Sequence, residues 1–372
     1  MALKEAEIID RAFEKAKEVL KKCSTKKGFY AAFPGYAGVW SRDSIITSIG
    51  ASLIEEKFKE TFKRSLITLA KAQSKKGQIP NAVIDKGAEY KSIDSTLWFV
   101  FGHYLYKQRY KDDSLYKKHK KNIDKALTWL SYQDMGEDLM LEQLPTTDWQ
   151  DAFPHRYGHT INTQALYYKI LNLTGKKRDA KKLRKNVNKN KDDKLWQENY
   201  YLPWRWKNHN KYKELGEWFD SLGNLLAIIF ELADKEQSEK IFNHIKNKKI
   251  NKPYPVKAIF PPIRPKTKEW QDYFKDCAAG KAYHYLNSGI WTFIGGFYIC
   301  ALVKHKKIKE AQKELLQLAK ANLQKPFYSE WLNGKTGRPG ISGDGSKDGN
   351  QAWNAGMYIA AYESVKKKKS VI

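Results

Sequence analysis

The feature that most constrains this chain is the spacing between its helices, because short and long connections alternate six times along it. The period of the apolar residues predicts about twelve helices, over 4–22, 43–55, 57–74, 92–110, 115–134, 158–174, 177–199, 217–232, 235–248, 289–303, 305–323 and 350–366. Each even-numbered helix is followed by only a few residues, such as Glu55-Glu56 or Lys304, and preceded by a connection of about 15 to 40 residues. Loops that long are uncommon in compact domains unless they carry function. An up-down arrangement places all six long loops on one face. Six helix pairs closed into a ring form an all-α (α/α)6 barrel, even helices inside and odd helices outside, with residues 1–372 as a single domain.

The patterning agrees with that arrangement. Odd helices are charged and amphipathic, as over 124–133 and 181–190. Even helices are aromatic and nearly uncharged, as over 95–102 and 291–297. A helix that is apolar nearly all round is a buried helix. Hydrophobic residues make up 41% of the chain, enough for a sizeable core. An open solenoid also stacks helix pairs, but it does not call for long, chemically rich loops on every hairpin.

Lys and Arg number 68 against 41 Asp and Glu, a formal charge of +27. Such a field attracts polyanions. The excess is mostly lysine spread over many helices, as in 176–194 and 366–369, without the Arg-rich, aromatic-interleaved stripe of a nucleic-acid groove. It reads as a solvated surface with weak polyanion contact as a side effect and no specific nucleic-acid partner. Cys23, Cys277 and Cys300 have no paired spacing, which argues against a disulfide framework and for a reducing compartment. The first 22 residues form a charged amphipathic helix rather than a signal peptide. No apolar run approaches the roughly 20 residues of a membrane span. The expected location is cytoplasmic, with no membrane contact.

Dinucleotide, P-loop and HExxH signatures are absent. His155 and His159 lack a third ligand, and the Gly- and Asp-rich stretch 343–349 lacks the closing glutamate of a calcium loop. That stretch is expected to be a lid beside Glu330. The long loops instead collect carboxylates, tryptophans and amides. The first ends Trp40-Ser-Arg42-Asp43, and the second holds Asn81 and Asp94 ahead of Trp98. The third holds Asp148-Trp149-Gln150-Asp151 and then Arg156. The fourth holds Glu217-Trp218-Phe219-Asp220, the fifth Asn287 and Trp291, and the sixth Glu330-Trp331, with Gln351 and Trp353 closing it. Asp43 and Asp94 also stand where a helix cap would. Glycoside hydrolysis needs a proton donor and a second carboxylate, with aromatic faces for the ring and polar groups for its hydroxyls. These loops supply all of them over one barrel mouth.

The residues carry a resemblance. Thr147-x-Trp149-x-Asp151-Ala152, Pro154-x-Arg156-x-Gly158 and Gln164-Ala165-Leu166 resemble the catalytic loop of amylo-alpha-1,6-glucosidases, the glucosidase domain of glycogen debranching enzymes. Trp40-x-Arg42-Asp43-Ser44, Ile79-Pro80-Asn81, Tyr90-x-Ser92-x-Asp94-x-x-Leu97-Trp98 and Gln351-Ala352-Trp353 resemble the same family in the same order, over about residues 30 to 360. Asn287-Ser288-Gly289-Ile290-Trp291 and Ser329-Glu330-Trp331 are similar to the neutral-invertase branch of the wider clan of (α/α)6 glucosidases, trehalases and neutral invertases.

The resemblance implies an inverting glucosidase acting on an oligo- or polysaccharide, with no metal and no organic cofactor. It implies that Asp151 is the general acid, that Glu330 is the base, and that Trp40, Arg42 and Asp43 form the pocket for the terminal sugar. Further substrate-binding candidates are Asn81, Asp94, Trp98, Trp149, Arg156, Asn287, Trp291, Trp331, Gln351 and Trp353. The expected geometry sets Asp151 and Glu330 roughly 6.5–9.5 Å apart, as an inverting pair requires. Asp151 is expected to be the more desolvated, walled by Trp149 and Phe153. Gln150 stands where the family usually has Met, and the chain carries no transferase domain, so the branched-glucan substrate stays open. Sucrose, trehalose or an anionic glycosyl-glycerate are alternative substrates. A non-catalytic carbohydrate-binding toroid or a basic nucleic-acid-associated toroid is the alternative outside enzymes. The oligomeric state is open.

Overall fold

The computed structural model describes residues 2–189, 194–209, 212–276 and 280–372. In chain order its helices are α1 (Ala2–Cys23), α2 (Ser41–Ala51), α3 (Lys57–Lys71), α4 (Asp94–Tyr110), α5 (Ser114–Lys118), α6 (Lys120–Ser131) and α7 (Ile161–Leu173). They continue with α8 (Lys177–Lys189), α9 (Ser221–Ile229), α10 (Lys235–Asn247), α11 (Thr292–Lys304), α12 (Ile308–Asn322) and α13 (Ala352–Lys367).

Six of these helices close a ring: α2 packs on α4, α4 on α7, α7 on α9, α9 on α11, α11 on α13, and α13 back on α2. They are the six helices predicted to lie inside. All residues of α2 are buried, as are those of α11 from Thr292 to Val303. Close approach within the ring depends on glycine. A side chain at Gly50 of α2 would strike the Gly356 carbonyl of α13, and one at Gly296 of α11 would strike Met357 of α13. The outer helices bury a single stripe each, as α8 buries Ala180, Leu183 and Val187, the spacing of one helix face. Together the two rings form the (α/α)6 barrel.

Several element boundaries differ from the sequence expectation. The fifth predicted helix splits into α5 and α6 at His119, whose Nδ1 lies 2.9 Å from Nε2 of the buried His103. The predicted helix over 177–199 is described to Lys189, with 190–193 outside the described residues, and it is no longer helical from 194, where Trp196 pairs as a bridge with Tyr201. The helix predicted from 217 starts at Ser221, where Asp220 caps it by accepting the Gly223 N–H.

The long loops also carry short strands that helical periodicity does not reveal. These are β1 (Val39–Trp40), β2 (Ala82–Ile84), β3 (Gly87–Glu89), β4 (Glu142–Gln143), β5 (Gly158–Thr160), β6 (Trp204–His209), β7 (Tyr212–Leu215), β8 (Phe219–Asp220) and β9 (Ile259–Phe260). They pair antiparallel in three small sheets, ordered β1-β2-β3, β4-β5-β6-β7 and β8-β9. Three inner helices, α2, α7 and α9, begin on the residue after a strand. Pairing therefore fixes where each of those helices starts, and with it the side chains of its first turn.

Cys23 and Cys300 are buried free thiols, each pushed up to about 12 by burial. Cys277 lies outside the described residues. Among the described residues no helix is long and apolar enough to cross a membrane.

Candidate active site

A small cavity of about 50 Å³ opens at the loop end of the barrel. Four of the six long loops reach it. The first supplies Ala31, Tyr36 and Trp40, followed by Arg42 and Asp43 in the first turn of α2. The third supplies Trp149 and Asp151, and the fifth Tyr285 and Trp291. The sixth supplies Glu330 and Gln351, with Trp353 at the start of α13. The second and fourth loops contribute anchors behind the lining instead, through Asp94 and Asp220.

Aromatic rings form a continuous girdle. Trp149 meets Trp291 and Phe293 edge-on, with centroids at 5.8 and 5.6 Å. Trp353 stacks on Phe293 at 4.0 Å and meets Trp291 edge-on at 5.8 Å. Tyr36 and Trp40 meet edge-on at 5.7 Å. These contacts are the favoured aromatic geometries and hold the walls rigid. The indole N–H groups of Trp149 and Trp353 have no protein partner among the described residues.

Arg42 is the cation at the centre of one wall. Its Nε lies 3.5 Å from Asp43 Oδ2, its Nη1 donates to Asp94 Oδ2 at 3.4 Å, and its Nη2 lies 4.0 Å from Asp151 Oδ2. It also sits 5.7 Å over the Trp353 ring. One positive charge shared among three carboxylates does not offset their burial. Asp43 is raised to about 6, mainly by burial and against the pull of Arg42, and Asp94 is raised for the same reason. Neither acid is a helix N-cap: that position is Trp40 before α2 and Ile93 before α4.

The two candidate catalytic carboxyls sit in opposite surroundings. Glu330 is 5% exposed and accepts three hydrogen bonds. Tyr36 and Tyr285 hydroxyls donate to its Oε1 at 3.1 and 3.2 Å, and the Gly343 N–H donates to its Oε2 at 2.6 Å. Burial lifts it to about 7 while those donors hold it down. The side chain of Asp151 is 42% exposed. Asp151 nevertheless lines the cavity together with Trp149, Tyr285 and Glu330. Burial there raises it to about 6, opposed by Arg42 and by its own backbone N–H. The expectation that Asp151 is the more desolvated of the two is thus reversed. Trp149 and Phe153 pack inward, Phe153 against Phe274 at 4.5 Å, and the residue between them faces the open cavity. Glu330 is instead covered by the 342–346 turn.

The remaining sequence candidates fall behind the lining. Asn81 accepts from the Ser92 hydroxyl at 3.1 Å and is buried. Trp98 lies in the barrel core against Phe101 and Phe297. Asn287 exchanges two 2.8 Å hydrogen bonds with the Ile263 backbone. Trp331 donates to the Ile341 carbonyl at 2.8 Å. Arg156 is fully buried between Asp148 and Asp220. Tyr36 and Tyr285 are not among the sequence candidates, because no local motif marks a tyrosine whose partner is 294 or 45 positions away. Among the described residues no cluster of three His, Cys, Asp or Glu could hold a metal. His155 lies 3.0 Å from the Tyr273 hydroxyl and His159 3.2 Å from Glu142.

Comparison with known proteins agrees with this picture. A family model described as amylo-alpha-1,6-glucosidase matches residues 14–336. Probable alkaline/neutral invertase D of Arabidopsis thaliana is 30% identical over 146 residues, 39% of this chain and 26% of the invertase. Cytosolic invertase 1 of Oryza sativa subsp. japonica is 29% identical over 123 residues, 32% of this chain and 21% of the relative. The match thus spans about a quarter of the length of these curated relatives. Among solved structures, a GH63 mannosylglycerate hydrolase from Thermus thermophilus, in complex with Tris and D-glycerate, superposes with a TM-score of 0.68 at 11% identity. That superposition covers 94% of this chain and 99% of the other. A glycosidase variant in complex with glucose gives 0.67 at 13% identity, covering 98% and 99%. These structural likenesses establish the barrel fold.

Proposed function

The chain belongs to the amylo-alpha-1,6-glucosidase family, and on that premise we propose that it is an inverting glucosidase acting on the terminal glucose of an oligo- or polysaccharide. The observation that carries this reading is the contrast between two carboxyls lining one cavity. Asp151 lines the cavity with a side chain 42% exposed, and burial together with the charges of Asp43 and Asp148 favours its proton against the pull of Arg42, so that proton is available to the glycosidic oxygen. Glu330 accepts three hydrogen bonds that favour its charged form, and these offset only part of the burial that still holds it near 7, above Asp151. In the proposed reaction Asp151 protonates the leaving oxygen as the bond from the anomeric carbon breaks. Water attacks that carbon from the opposite face and gives its proton to Glu330. Glu330 then releases its proton to solvent, and solvent returns one to Asp151. The aromatic girdle holds the ring, and Arg42, Asp43 and Gln351 bond its hydroxyls.

A neutral sugar suits the cavity better than an anionic glycosyl-glycerate. Arg42 is already shared among three carboxylates, so a substrate carboxylate would meet a negative wall. Sucrose is the second reading, supported by the likeness to invertases over 146 residues.

A panel of isomaltose-type, branched-glucan, sucrose, trehalose and glycosyl-glycerate substrates, with free-sugar detection, separates these substrates. NMR during early turnover should show the product anomer inverted relative to the substrate. Asp151→Asn and Glu330→Gln should each cut turnover by roughly 10²-fold or more, with little change in binding. Retention of configuration, or full activity in Asp151→Asn, would overturn the assignment.

A further inference from the structure

Asp151 rides on a segment that is closed on itself by a buried ion pair. At one end, Asp148 Oδ1 accepts the Gln150 N–H at 2.9 Å, and its Oδ2 accepts Gln143 Nε2 at 3.0 Å. At the other end, Arg156 reaches back and donates Nη2 to Asp148 Oδ2 at 2.6 Å. Its second prong, Nη1, donates to Asp220 Oδ2 at 2.5 Å. Asp220 is the N-cap of α9, so the prong ties the segment to the inner ring. Arg156, Asp148 and Asp220 are all fully buried, and Arg156 does not line the cavity.

We propose that Arg156 is a positioning residue: its two-pronged clamp closes the 148–156 segment and docks it on α9, fixing the carboxyl of Asp151 over the cavity. The inference rests on the reading of Asp151 as proton donor. The planar guanidinium matters, because it bonds two carboxylates at once in fixed directions. A lysine ammonium keeps the charge but not that geometry. The clamp sets position rather than sugar affinity, since none of its three side chains reaches the space the substrate occupies.

The test compares two leaving groups. A sugar aglycone needs a proton from Asp151 to depart, whereas the fluoride of the same glycosyl unit leaves without one. In Arg156→Lys, kcat on the natural-type glycoside should fall roughly 10-fold or more, as misplacement of a catalytic group by about 1 Å allows. KM and turnover of the glycosyl fluoride should stay within about threefold of the unaltered enzyme, an essentially unperturbed binding step. Asp151→Asn should show the same pattern, more severely. A second variant, Asp148→Asn with Arg156→Met and Asp220→Asn, removes all three buried charges together. Removing the three together leaves no unpaired buried charge, the costly outcome of removing one partner alone, and this variant should show the same selective loss. Equal losses on both substrates, a rise in KM with kcat held, or unchanged kcat in either variant would overturn the clamp. Full activity in Asp151→Asn would instead overturn the proton-donor assignment beneath it.

Discussion

At the residue scale, the two carboxyls facing the cavity titrate close together, Asp151 near 6 and Glu330 near 7. The proposed reaction needs Asp151 protonated and Glu330 ionised. Because Glu330 sits above Asp151, the pair with Asp151 protonated and Glu330 ionised is the minor form at every pH, and kcat/KM should follow a narrow bell with its maximum between about 6 and 7. The two limbs belong to the pair rather than to either residue alone. A plateau extending through about pH 9 would exclude Asp151 as the proton donor. Which of the two is the more shielded is not legible in the sequence. Neighbouring aromatics point to Asp151, but the actual cover over Glu330 comes from Tyr36, Tyr285 and Gly343, residues brought in from three places in the chain.

At the scale of elements, the loops divide into those that line the site and those that brace it. The 342–346 turn belongs to the first kind, since its Gly343 N–H grips Glu330. A Cβ at Gly343 would lie 2.6 Å from the hydroxyls of both Tyr36 and Tyr285. Those are the hydroxyls that donate to Glu330. Gly343→Ala should therefore displace two of its three donors and lower kcat roughly 10- to 100-fold. The turn is largely exposed, so the melting temperature should change little. Kinetics and thermal melting on one preparation check both halves of this prediction. The sequence places this stretch beside Glu330 as a lid. Its contact through a backbone amide carries no side-chain signature and is visible only in three dimensions.

At the scale of the molecule, the ring of six inner helices buries acids that water would otherwise stabilise. Glu330 has a folded value near 7, above the roughly 4.3 of an unperturbed glutamate. The folded state therefore holds this proton more tightly than the unfolded state. Its favourable contribution is complete below about 4.3 and is lost as pH rises through about 7. Glu330→Gln removes the ionisation while keeping the shape. The variant should be more stable than the parent chain at about pH 8, by about 1–3 kcal/mol. That gap should close towards about pH 4 to 5. Melting curves of both proteins across this range read the difference directly. A gap independent of pH would show that Glu330 is not held above its ordinary value.

The sequence by itself determined the barrel. Helical period and the alternation of connections act over neighbouring residues, and burial follows from which helices are apolar all round. It also picked out residues that the fold brings together, because Trp40, Arg42, Asp43, Trp149, Asp151, Trp291, Glu330, Gln351 and Trp353 all line one cavity. What only the tertiary structure decided is the depth of each residue in that mouth. Asn81, Asp94, Trp98, Arg156, Asn287 and Trp331 come from equally rich segments, yet they fall behind the wall, each held there by partners of its own. A side chain's facing depends on strand pairing and on partners hundreds of positions away, as Tyr36 and Glu330 show. Local pattern has no term for contacts of that range.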